Sequence, residues 1–192
     1  MRCMDFRSGL YDVMFFEDPG WGWASEAVET STPVLKDEEI YVALNKTNRD
    51  QSFFNRISER QIVAIAGYHY GFAGLETDSS ELRKEFDIEF SHSYQRNLDL
   101  IKADRPSLAE VALVSRSFLY TYFARFPDQR DDFLVSEKID QSYELHVLTR
   151  KSGPISLKTI EGLLRPLIKS GRYQKLVRKH GLQLPEGMLG TP

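Results

Sequence analysis

The sequence predicts an α/β fold built on a mostly parallel sheet. Two observations carry that expectation. The runs Ile62-Val63-Ala64-Ile65-Ala66 and Glu110-Val111-Ala112-Leu113-Val114 are short, apolar and rich in β-branched residues, and each leads toward a segment with helical periodicity. Continuous rather than alternating apolar runs belong to strands covered on both faces, and strand–helix alternation makes βαβ units.

The elements follow in order. Cys3 to Arg7 read as the end of a helix that turns at Ser8-Gly9 into a strand, Tyr11 to Phe16. A polar loop, Glu17 to Thr32, precedes a strand at Glu38 to Leu44 with β-branched and aromatic content. A short helical piece surrounds Phe53-Phe54, and the strand at 62–66 ends at Gly67. Asp78-Ser79-Ser80-Glu81 has capping-box spacing and starts a helix that turns Leu82 and Phe86 inward. A strand at Ile88 to Phe90 and a helix at Asn97 to Ala103, with Leu98 and Ile101 on one face, lead to the strand at 110–114. Ser115 caps the next helix, whose inward face holds Phe118, Leu119, Tyr122 and Phe123. Two further strands are expected, Phe133 to Val135 and Glu144 to Thr149.

The chain ends in two helices. Leu157, Ile160, Leu163, Leu164, Leu167 and Ile168 form one apolar stripe. Ser170-Gly171 breaks it, and a second short helix carries Tyr173, Leu176 and Val177 inward before Gly181. Pro166 lies inside the first of these helices and should kink it.

Composition excludes several classes. A net charge of −3 leaves no electrostatic footprint for nucleic acid. The single Cys3 allows no intramolecular disulfide and makes no metal site alone. Gly-x-Ser-x-Gly, Walker-loop, Gly-x-Gly-x-x-Gly and His-x-x-x-His motifs are missing, so neither enzyme, metal nor cofactor chemistry is expected. No apolar run reaches the length of a membrane span. Arg2, Asp5, Arg7 and Asp12 punctuate the N-terminal residues, which do not read as a secretory signal.

The spacing Leu164, Leu167, Gly171, Tyr173, Leu176, Lys179, Gly181, arriving just after the strand at 144–149, resembles the closing segment of the family 3 extracellular solute-binding proteins. These are the two-lobed receptors of amino-acid-type ABC transporters. The resemblance implies a periplasmic-binding-protein-like (type II) fold. Its first lobe would be residues 1–44 plus 145–192 and its inserted second lobe residues 60–142, with hinge strands at 38–46 and 143–150. The family's opening strand–helix–strand stretch has no counterpart here, so an N-terminally incomplete first lobe and self-association through it are expected. The implied function is to bind a small polar molecule in an inter-lobe cleft, for uptake or sensing, with an ABC transporter membrane subunit as partner and a periplasmic location. The alternatives are a degenerate relative that serves as an interaction module, and the effector-binding domain of a transcription regulator.

Candidate ligand residues come from three places. Ser8 to Leu35 contains Asp12, Glu17, Asp18, Glu26 and Glu29, together with Trp21 and Trp23, and has no Lys, Arg or His. Amino-acid-binding members of the resembled family place a carboxylate-clamping arginine in this region, and this chain has none. Indole faces beside carboxylates suit a cation; a solvated acidic loop with packed indoles is the other reading. The turn holding Tyr68, His69 and Tyr70 follows a buried strand and is expected to open a helix, with Gly67 allowing close approach. In the family this position holds small hydroxyls. Ser115-Arg116 stands where many relatives carry an aspartate for the ligand's ammonium, although Ser115 also serves as a helix cap. A small polar or cationic solute other than an ordinary α-amino acid is therefore expected. The cations Arg172, Lys175, Arg178 and Lys179, with His180, read as a solvated face suited to a helix C-terminus.

Overall fold

The computed structural model describes residues 2–23 and 25–188. The chain divides into two compact units, Met1–Asp37 with Tyr143–Pro192, and Glu38–Ser142.

The second unit is built on β3 (Leu35–Leu44, shared with the first), β4 (Ile62–Ile65), β5 (Ile88–Ser91) and β6 (Val111–Ser115). β4 runs parallel to both β5 and β6, while β3 pairs antiparallel with β6. The two apolar runs that predicted a parallel sheet are thus neighbouring strands in register, Ile62 opposite Val111 and Val63 opposite Ala112. Their continuous hydrophobicity has the expected cause. Ile40, Val42, Val63, Ala112 and Val114 face one core, closed by α3 (Tyr94–Lys102) and α4 (Arg116–Arg125) through Leu98, Ile101, Leu119, Tyr122 and Phe123. Tyr41, Ala43, Ile62, Ala64, Val111 and Leu113 face the other, covered by Phe54, Ile57, Tyr70 and Leu82. Leu82 belongs to α2 (Ser79–Glu85), whose N-cap Asp78 accepts from the N–H groups of Ser80 and Glu81.

The first unit carries α1 (Arg2–Arg7), β1 (Val13–Glu17) and β2 (Val28–Thr30). Both strands pair antiparallel with β7 (Phe133–Arg150), within residues 146–150. Val147 and Leu148 point to opposite faces of β7. Val147 packs with Val34, Leu35, Ile160 and Val177 beneath α5 (Leu157–Lys169) and α6 (Arg172–Lys179). Leu148 packs with Phe6, Met14 and Trp23. The chain passes between units at residues 37/38 and 142/143, once within β3 and once within β7.

Several expectations need correction. The strands read at 133–135 and 144–149 are one 18-residue strand, because the polar residues between them stay in extended backbone. The loop Glu17 to Thr32 contains β2. The turn after β4 opens a short 3₁₀ turn at Gly71–Ala73 instead of a helix, and Gly74 in the left-handed region ends it. In the C-terminal helices Leu163, Leu167 and Leu176 are exposed, since the covered stripe is narrower than the apolar one.

Candidate functional site

Connections leave β4 and β6 in opposite directions: β4 leads to β5 on one side, and β6 leads through α4 to β7 on the other. In open α/β sheets the crevice outside the carboxyl ends of two such strands is where ligands bind. Four segments of the second unit meet along this edge. They are the turn Ala66–Tyr70 after β4, residues 91–94 after β5, Ser115-Arg116 after β6, and the start of β3, where Glu39 lies opposite Ser115.

The turn after β4 is shaped by Gly67, whose φ of +75° suits glycine; open space surrounds the position a Cβ would take, so backbone conformation is what selects the residue. Tyr70 is 0% exposed. Its hydroxyl accepts from the Ile65 N–H at 2.8 Å and donates to the Ile65 carbonyl at 3.3 Å, fastening the turn to the end of β4. Burial, then the negative charge of Glu39, push its phenol well above the ordinary range. Tyr68 stands outward at 42% exposure. Its ring stacks on Tyr70, centroids 6.4 Å apart, and meets Tyr94 edge-on at 6.1 Å. His69 is half-buried in the same turn.

Around this aromatic platform lie the charges. Ser93 caps α3 by accepting from the Arg96 N–H, which sets Tyr94 on the first turn, where its hydroxyl donates to Glu39 at 2.5 Å. Ser115 caps α4, its hydroxyl accepting from the Phe118 N–H at 3.2 Å. Arg116 pairs through Nε with the buried carboxylate of Glu38. The edge therefore carries two carboxylates against one guanidinium, beside an exposed phenol face.

Of the residues singled out from the sequence, Tyr68, His69, Tyr70, Ser115 and Arg116 belong to this edge, with Tyr70 as support rather than surface. Trp21 and Trp23 belong to the first unit. Trp21 is half-buried against Tyr143, centroids 5.2 Å apart. Trp23 is a correction. At 2% exposure it packs edge-on against Phe6 at 5.4 Å and donates its indole N–H to the buried Glu17 at 3.1 Å, which makes it a core residue. Glu38, Glu39 and Tyr94 were missed. Two acids at the head of an apolar strand, and a serine three residues before Arg96, were the available signals.

Elsewhere in the same unit a cavity of about 400 Å³ is lined by Tyr41, Arg56, Ile57, Phe72, Lys138 and Asp140 among others. Asp140 accepts from the Gly71 N–H at 2.7 Å, the Phe72 N–H at 2.8 Å and the Tyr41 hydroxyl, and so anchors the 3₁₀ turn. No cluster of metal-ligating side chains occurs among the described residues.

Two α/β units joined by two crossing strands, one a mixed sheet flanked by helices in which β4, β5 and β6 run parallel and β3 antiparallel, define the type II periplasmic-binding-protein-like fold. Solved structures bear this out. An ABC uptake transporter substrate-binding protein from Streptococcus pneumoniae, with bound histidine, matches with a TM-score of 0.68 at 18% identity, over 93% of this chain and 71% of that one. The GluR0 ligand-binding core from Nostoc punctiforme, in complex with L-glutamate, matches at 0.63 and 14% identity, over 92% and 76%. A mutant of ArgBP from T. maritima matches at 0.63 and 18% identity, over 92% and 71%. The resemblance carried by the C-terminal helices thus holds at the level of the fold. Neither a protein-family model nor a curated protein matches the chain.

Proposed function

We propose that this chain is a solute-binding module whose ligand is a small cationic molecule held at the carboxyl edge of the second unit's sheet. The observation that carries this is the pairing of Arg116 with Glu38. Glu38 and Glu39 outnumber the one guanidinium in formal charge, and Tyr68 offers the edge an aromatic face. A ring face and carboxylates favour a cation by charge and quadrupole. The structural neighbours bind amino acids, which supports binding over catalysis. Here the excess of carboxylates at the edge, and a first unit with no base between Ser8 and Leu35, favour a ligand without a free α-carboxylate.

Trp21 is the proposed contribution from the first unit, and the crossings within β3 and β7 are the proposed hinge. A transporter's membrane subunit or a signalling partner is the proposed reader of the ligand-bound form. A periplasmic location accompanies this reading. No helix among the described residues is long and apolar enough to cross a membrane.

Isothermal titration against polyamines, quaternary amines and common α-amino acids tests the proposal. A cationic solute should bind, with affinity reduced at least ~10-fold by Tyr68→Ala and by Glu39→Gln. Tight binding of an ordinary α-amino acid, unaffected by Tyr68→Ala, would sink it.

A further inference from the structure

We propose that the cavity beside Asp140 is a second ligand site, one that takes a small carboxylate with an apolar body. The cavity, about 400 Å³, lies wholly within the second unit. Residues from the 3₁₀ turns Gln51–Phe54, Ile57–Glu59 and Gly71–Ala73, from the end of α2 and from the middle of β7 enclose it. Tyr68, Tyr94, Ser115 and Arg116 are not in its lining, so it is separate from the carboxyl edge. Its volume falls in the range of small-molecule sites.

The lining divides by chemistry. Its apolar part is Ile57, buried against the sheet, with Phe72 and Phe86 meeting edge-on at 5.0 Å between centroids and Ile139 standing 40% exposed. Its polar part is Arg56, Lys138, Asn55 and Ser58, and each of these side chains carries a hydrogen-bond donor. The side chains of Lys138, Asn55 and Ser58 have no hydrogen-bond or ion-pair partner among the described residues. Arg56 pairs with Glu59 at 3.2 Å, but the two side chains are 73% and 59% exposed. Water screens such a pair, and an incoming carboxylate can take over the guanidinium.

Asp140 is the one carboxylate among the lining residues, and it is already committed. Its Oδ1 accepts from the Phe72 N–H at 2.8 Å and from the Tyr41 hydroxyl, and its Oδ2 accepts from the Gly71 N–H at 2.7 Å. What the cavity still offers is a guanidinium, an ammonium, an amide and a hydroxyl. A cation would meet Arg56 and Lys138, whereas a carboxylate accepts from both, most strongly from charged donors. Inorganic phosphate would also accept, yet it leaves Ile57, Phe72 and Phe86 with nothing to pack against. An acid carrying a phenyl or branched alkyl group satisfies both parts of the lining.

The test titrates the full ¹⁵N-labelled chain with 3-phenylpropionate, 4-methylpentanoate, 3-phenylpropionamide and inorganic phosphate, read at the amide signals of Ser58, Gly71, Phe72 and Ile139. At least one of the two acids should move these signals together along one saturable curve, with Kd near ~100 µM. The uncharged 3-phenylpropionamide should bind at least ~10-fold more weakly than its acid. Lys138→Gln and Arg56→Gln, both at exposed positions, should each weaken the acid ~5-fold, and Lys138→Arg should restore most of the loss. Circular dichroism melts confirm that the variants fold. No saturable shift with either acid up to ~10 mM overturns the proposal. So does an amide or phosphate that binds as tightly as the acids, or an affinity indifferent to both Lys138→Gln and Arg56→Gln. Tyr68→Ala should leave the affinity unchanged; its loss would move the acid to the carboxyl edge and overturn the cavity assignment. None of these outcomes decides whether a cation binds at that edge.

Discussion

Gly71 shows how closely two segments of the second unit approach. A Cβ there would lie 2.1 Å from the Asp140 carbonyl oxygen, which is backbone and cannot step aside. Gly71→Ala should therefore cost about 2–4 kcal/mol in urea unfolding, although nothing in the sequence around Gly71 announces the contact; Asp140 is 69 residues away. Tyrosine ionisation gives a second check. Burial and Asp140 raise the Tyr41 phenol, burial and Glu39 raise that of Tyr70, and burial pushes Tyr173 up to about 12. Unfolded phenols ionise near ~10, so below that pH both states keep the proton and stability is unaffected; above it the unfolded state releases protons the folded state retains, and stability falls. Phenolate absorbance should show these three of nine tyrosines titrating late, as the chain unfolds; ordinary titration of all nine in folded protein would contradict the burial. The two tryptophans illustrate what local pattern leaves open. Both are indoles in one acidic stretch, yet Trp23 is sealed by Phe6 and Glu17, partners that sequence spacing could not assign.

At the scale of elements, α5 contains two helix-unfriendly residues on exposed positions, Gly162 and Pro166. Nothing lies within 4 Å of a Cβ built on Gly162, and its φ is not in the left-handed region, so Gly162→Ala should stabilise the protein by about 1 kcal/mol. Ser115→Ala should cost about 1 kcal/mol by removing the cap of α4. Both are read from thermal melts. Elements whose periodicity, cap and burial agree were legible: β4, β6, and α2 and α4 with their caps Asp78 and Ser115. Two kinds were not. β2 and the middle of β7 are polar; β2 takes its strand character from pairing with β7, and the middle of β7 continues the extended backbone of the strand on either side. The turn holding Tyr68, His69 and Tyr70 was expected to open a helix because a buried strand usually feeds one; the Tyr70 hydroxyl on Ile65 and the grip of Asp140 hold a 3₁₀ turn instead.

For the whole molecule, the fold was readable because its evidence is distributed: apolar runs at strand length, capped helices between them, and a C-terminal helix pair with recognisable spacing. The candidate site was readable only in part. Tyr68 and Ser115-Arg116 follow apolar strands directly, where loops at strand ends are expected. Glu38, Glu39 and Tyr94 join them through strand register and a helix cap, relations visible only after folding. The net negative edge beside an aromatic face is the central claim, and residue-resolved NMR tests it most directly. Titrating a cationic solute into ¹⁵N-labelled protein should move the amide signals of Gly67, Tyr68, Tyr94 and Ser115 together along one saturable curve, and an α-amino acid such as glutamate should leave them in place. Saturable shifts confined to other residues, or the same shifts with glutamate and none with any cation, would contradict the account.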